Sequence, residues 1–172
     1  MKFRETSTSG GLINIGDHCV KSWSTTQTLI ALSSGEAEFY SLTRCSALSL
    51  GMQSLLQDLG LDLDIRVFTD ATTGKAIASR RGLGKVRHIA THELWVQERV
   101  MRGDIEIVKI KNWYNTADLM TKYLTGPDIT EILEQLGHKS NEPGRSTAAP
   151  NLSLLEAVYS LGVLQLYMLG TE

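Results

Sequence analysis

Apolar and polar positions alternate at a period near two over the first part of the chain and then switch to a helical period. "GGLINIG", a turn at Gly16-Asp17 and "HCVKSWS" predict a β-hairpin, and "QTLIAL" reads as a third short strand. Ser33 to Leu59 carries a helical pattern that stops at Gly60, a natural residue just past a helix end. "DIRVFTD" is a compact apolar strand ending on Asp70, followed by a helix over Gly74 to Arg81. Ile89 to Met101 reads as helix, "DIEIVKI" alternates as a strand, and "NTADLMTKYL" is a last short helix. This order predicts one α/β domain, a mixed sheet flanked by helices, over residues 1–125. Residues 126–150 hold a short helix over Pro127 to Leu136 and a linker rich in polar, Pro and Gly residues, "HKSNEPGRSTAAPN". Residues 151–172 contain the strongly apolar "LSLLEAVYSLGVLQLYML", expected to form a C-terminal helix.

The long helix opens on "LSSGEAEFYSL", with Glu36 and Glu38 two positions apart. At about 100° per residue the two acids stand about 200° apart and cannot share a face. Ser33 and Glu36 match the S-x-x-E capping box, which gives Glu36 a complete structural role. Glu38 has no such role. Leu42, Cys45, Met52 and Leu56 fall on its side of the helix, so Glu38 heads the stripe that faces the sheet. A carboxylate there is costly unless it is wet, paired, protonated or bound to a cation.

Two further acids stand at element ends. Asp70 terminates the most apolar strand, where open α/β sheets place their ligands, and it also suits the cap of the next helix. Asp118 sits in "NTAD", where Asn115 as cap and Asp118 in the first turn have an equally structural reading. Converging carboxylates repel one another unless a divalent cation screens them, and hard oxygen donors favour magnesium or manganese over zinc.

Composition changes this picture little. With 172 residues, a net charge of −2 and 21% charged residues, the chain has no global basic excess. Nucleic-acid binding would therefore rest on a local patch. Two cysteines, Cys19 and Cys45, supply neither a disulfide framework nor a zinc ligand set, and an intracellular location, cytoplasmic or nuclear, is expected. The N-terminal "MKFRETSTSGG" has no apolar run of a secretory signal.

Six fragments in order, "STSGG", "KSWSTTQTLIALSSGEAEFYSL", "VFTDA", "GKVRHI", "LWVQERV" and "NTADLMTKYL", resemble the ribonuclease H domain of copia-type LTR retrotransposon Pol polyproteins. The resemblance runs from about Arg4 to Leu124, and "ALSSGEAE" and "NTADLMTK" are its most specific parts. It implies a ribonuclease H-like mixed sheet and hydrolysis of the RNA strand of an RNA–DNA hybrid. Two Mg2+ or Mn2+ ions about 4 Å apart would be held on carboxylates. Carried over by motif, Glu38, Asp70 and Asp118 are the expected catalytic and metal-binding residues, and the reverse transcriptase region of the same polyprotein is the expected partner. The resemblance also implies a fourth carboxylate on a first strand ahead of "STSGG". Nothing between Met1 and Ser7 replaces it, because Glu5 is in a loop. The expectation is a domain lacking its first strand, with neighbouring strand edges left unpaired and cleavage weak or lost.

"SRRGLGKVRH" gathers Arg80, Arg81, Lys85, Arg87 and His88 around two glycines. It reads as a phosphate-backbone contact or as a solvated basic loop, and the resemblance favours the first. His88 and His92 share helical spacing but lack a third zinc ligand. Trp23 and Trp95 read as core, while Trp113 and Tyr114 precede the "NTAD" helix close to the expected substrate side. The apolar tail is near the lower length limit for a membrane span and carries Glu156 and Gln165, so a membrane partner is not expected. A non-catalytic interaction module, membrane-associated through that tail, is the alternative.

Overall fold

A computed structural model of the chain describes residues 7–16, 18–84, 89–136 and 163–170. Strand β1 (Thr8–Ile15) turns through Gly16, which has φ 57°, into the antiparallel β2 (His18–Thr26), as the alternation predicts. Ile13 pairs Lys21 and Asn14 pairs Cys19, so Val20 is the extra residue of a bulge on this edge strand. "QTLIAL" is not a strand. After Thr26 the chain leaves the ladder: the Gln27 amide makes a last bond to the Ser7 carbonyl at 2.8 Å, and its side chain turns inward. The Gln27 side-chain amide donates to Ser9 Oγ at 2.9 Å, to the Ala37 carbonyl at 2.8 Å and to Ser41 Oγ at 3.2 Å. A buried polar knot thus ties β1 to the first long helix. Ile30 and Leu32 of the apolar run stay exposed, at 47% and 62%.

Helix α1 (Ser34–Asp58) starts at the predicted cap: Ser33 Oγ accepts from the Glu36 amide at 3.2 Å. Glu36 reaches back one residue further than a capping box requires, accepting from the Leu32 amide at 2.8 Å. Leu42, Cys45 and Leu56 are buried against the sheet and Met52 packs beside them, as the helical stripe predicts. β3 (Asp64–Thr69), α2 (Thr72–Ala78), α3 (Trp95–Arg102), β4 (Ile105–Lys109), α4 (Asp118–Thr121) and α5 (Gly126–Gln135) follow in that order. A short 3-10 turn at Thr91–Glu93 replaces the first part of the expected helix over Ile89 to Met101. The core gathers Ile13, Phe39, Leu42, Val67, Ile77, Val96 and Ile105 between sheet and helices, and Trp23 and Trp95 pack against it.

The last strand overturns two expectations. Val163–Gly170, read from sequence as helix, is the strand β5; residues 151–162 lie outside the described residues. The five strands run β2-β1-β5-β3-β4, so β5 lies at the sheet centre, antiparallel to β1 and parallel to β3. The β1 and β3 edges, expected bare for want of a first strand, are both paired. "VLQLYMLG" suits that slot because a strand covered on both faces reads as a nearly continuous apolar run, which periodicity alone does not distinguish from a buried helix. Its one strongly polar residue, Gln165, falls in register with Asn14 and Arg66. Among the described residues no helix is long and apolar enough to cross a membrane.

Candidate functional site

β3 delivers Asp70 to the end of the sheet. Thr69 is 1% exposed, and its Oγ1 accepts from the Ala71 amide at 3.0 Å, turning the chain out of the strand and into α2. Asp70 is left half-buried at that corner. From the other side, a 3-10 turn over Asn112–Tyr114 leads into buried Asn115. Asn115 Oδ1 accepts from the Ala117 amide at 3.3 Å, and its side-chain amide hydrogen-bonds Asp70. Asn115 therefore bridges the two acidic segments; it does not cap α4 as expected, since the N-cap position is Ala117 and carries no side-chain cap bond.

α4 carries Asp118 over β1. A Cβ on Gly10 would lie 2.4 Å from Thr121 Cγ2 and 2.8 Å from Met120 Cβ, so only glycine lets α4 sit this close. Lys122 Nζ donates to Asp118 Oδ2 at 3.0 Å and to Asn112 Oδ1 at 3.1 Å. Asp118 Oδ1 is buried without a hydrogen-bond partner. Burial raises the Asp70 carboxyl above its ordinary range and Asp118 raises it further, while Lys122 and Asn115 act against that shift. Burial likewise raises Asp118, opposed by its bond to Lys122.

Glu38 is half-buried in the first turns of α1, where α1 meets α2. A Cβ on Gly74 would lie 3.4 Å from the Glu38 carbonyl carbon and 3.4 Å from its Cβ, which brings Glu38 close to the helix that Asp70 leads into. Among the described residues no three acids, histidines or cysteines come together in a way that could hold a metal ion. The described side chains do not fit a two-metal centre. Asp118 raises the Asp70 carboxyl, Glu38 is at the α1–α2 crossing, and the Lys122 ammonium already pairs with Asp118. Thr69 pairs Met168 and Gly10 pairs Leu169, so the β5 stretch level with Asp70 is "MLG", which carries no acid.

The basic loop divides. Arg80 Nη2 donates to the Leu83 carbonyl at 2.5 Å, and Gly84, at φ +58°, leaves no room for a Cβ beside the guanidinium. Arg80 thus shapes the loop from within, whereas Arg81 is exposed. Lys85, Arg87 and His88 lie outside the described residues. Buried Gln97, not singled out by the sequence pattern, holds the loop to α2. It accepts from the Gly82 amide at 2.8 Å and donates to the Ile77 carbonyl at 2.8 Å. Lys122 was also missed. Its position four residues after Asp118 was the available signal, since an i,i+4 acid–base pair shares a helix face.

Both aspartates hold their protons to higher pH in the folded chain than in the unfolded one. For a raised carboxyl the contribution to stability is complete below the unfolded value and is lost as pH rises through the folded value. Asp70→Asn is therefore expected to raise the denaturation midpoint at neutral pH and to give no gain below the carboxylate range. Urea titrations of parent and variant at the two pH values check this; a loss of stability at neutral pH would mean that Asp70 is stabilised as the anion.

A mixed sheet with an antiparallel hairpin at one edge, parallel strands at the other and helices packed on it is consistent with a ribonuclease H-like α/β fold. The relatives are transposon polyproteins. The chain is 26% identical over 137 residues to "Retrovirus-related Pol polyprotein from transposon TNT 1-94" of Nicotiana tabacum, a match covering 78% of this chain and 10% of the relative. Against the Pol polyproteins from transposons RE2 and RE1 of Arabidopsis thaliana it is 26% and 25% identical over 134 residues, covering 76% of this chain and 9% of each relative. The chain thus spans about a tenth of the length of the curated relatives it matches. No family model matches it, and no solved structure does.

Proposed function

We propose that the chain is a ribonuclease H-like domain of retrotransposon Pol origin, of copia type, that binds RNA–DNA hybrid and cleaves it poorly or not at all. The observation that carries this reading is the meeting of Asp70 and Asp118 at the C-terminal end of β3, coupled through Asn115 and Lys122. That is where an open α/β sheet presents its ligand site. Its two acids stand in "VFTDA" and "NTADLMTKYL", two of the fragments on which the resemblance rests. Hydrolysis is impaired because the strand beside Asp70 adds no carboxylate and Lys122 occupies Asp118. The described side chains do not fit the two Mg2+ or Mn2+ ions that the resemblance implies at Asp70, Asp118 and Glu38, a misfit that accords with cleavage at background. Asn115 orients Asp70, and Lys122 holds Asp118 in place. The basic loop, with Arg81 exposed on it and Lys85, Arg87 and His88 in sequence, supplies the backbone contacts, which position the hybrid without reading its sequence. The site of action is intracellular, and the reverse transcriptase region of a parent polyprotein is the expected neighbour.

The test is fluorescence anisotropy with a labelled RNA–DNA hybrid across a salt series, beside a cleavage assay in magnesium and in manganese. Binding is expected to weaken steeply with salt, as phosphate contacts release counterions, and cleavage is expected to be at background. Absence of binding at low salt overturns the reading. Cleavage that survives Asp70→Asn places the chemistry elsewhere.

A further inference from the structure

We propose that the slot between β1 and β3 is a strand-docking site, and that it accepts Val163–Gly170 from a second copy of this chain as well as from its own. The slot is two-sided: β5 pairs β1 from Ser9↔Gly170 to Ile15↔Leu164 and β3 from Asp64↔Val163 to Thr69↔Met168. Emptying it would split the sheet into the β1–β2 hairpin and the β3–β4 pair and bare two strand edges. The strand that fills it is also the one most loosely assigned to it by connectivity. β1 and β2 are joined through residues 16–17 and α1 and β3 through 59–63, whereas β5 follows α5 only after residues 136–162. Fully extended, a stretch of that length spans at most roughly 90 Å. The second copy is the favoured occupant because its tail is identical in sequence and would rebuild the same ladders, including Gln165 in the Asn14 and Arg66 row. Reciprocal exchange closes as a two-fold dimer. The tether favours the chain's own tail in dilute solution. The second copy competes once protein concentration nears the effective concentration of the chain's own attached tail, on the order of 1 mM.

The test uses full-length chains carrying Cys19→Ser and either Asn14→Cys or Gln165→Cys, positions opposite each other across β1 and β5. The two are mixed unfolded, refolded at several concentrations up to about 1 mM, diluted and oxidised. Each chain alone serves as the control. A second pair, Ile15→Cys with Leu164→Cys, samples the alternate class of antiparallel partner. A disulfide-linked heterodimer is expected, rising at least tenfold from the most dilute to the most concentrated refolding, while the double variant closes within one chain. Internal closure with no heterodimer at any concentration overturns the exchange. Neither product from either pair means that β5 does not occupy the slot, which overturns the docking site itself.

Discussion

Leu166→Pro is expected to lower the unfolding free energy by at least about 3 kcal/mol, a fall of roughly 6–12 °C in the thermal midpoint for a chain of this size. Leu166 is in the middle of β5, opposite Ile13 of β1 and Val67 of β3. A strand with neighbours on both sides has no solvent edge toward which a proline could turn its missing amide. The ring therefore removes a ladder bond from β1 or from β3. Ile13 and Val67, both 0% exposed, are the core residues on the flanking strands and would lose their alignment. Val20→Pro is the matched control. Val20 is also in a strand, but at the bulge of the edge strand β2, where no partner faces it. Calorimetry of both variants decides the point: equal costs would mean that β5 is not central.

Gly10→Ala is expected to destabilise the fold by about 1–3 kcal/mol, the usual range for overpacking, and to weaken the proposed hybrid binding. The added methyl would meet Thr121 Cγ2 at 2.4 Å and Met120 Cβ at 2.8 Å. The threonine methyl belongs to a short side chain and Met120 Cβ is bonded to the backbone, so rotation cannot relieve both contacts. α4 must lift, carrying Asp118 and its bond to Lys122 away from Asp70. Gly51→Ala in α1 should move stability the other way. A Cβ there has nothing within 4 Å, and alanine in an open helical position stabilises by about 0.5–1 kcal/mol relative to glycine. Thermal melts of the pair, with hybrid binding measured on each, distinguish a packing clash from a general intolerance of glycine replacement.

The features legible in sequence were those set by local chemistry. Ser33 and Glu36 declared the start of α1 because a cap is satisfied within one turn of chain. Leu42, Cys45 and Leu56 declared its buried face because helical spacing is a property of the backbone. The hairpin turn at Gly16 and the corner at Asp70 were equally local. "QTLIAL" misled because its apolar run had no free ladder to join once Gln27 was drawn inward by Ser9, Ala37 and Ser41. The tail misled for the opposite reason: a run apolar on every side takes helix or strand according to what surrounds it.

By itself, then, the sequence determined the order of most elements, the caps and stripe of α1, and the identity of the acids that end β3 and open α4. Those follow from torsional preference and spacing, which act over a few residues. Only the tertiary structure decided that Val163–Gly170 is a central strand, because an open slot between β1 and β3 selects extended backbone through ladders to partners some 150 and 100 residues away in sequence. It also decided that Asp70 is coupled to Asp118, Asn115 and Lys122 while Glu38 stands at a helix crossing. Charge coupling depends on distance through space, and only the folded chain sets that distance.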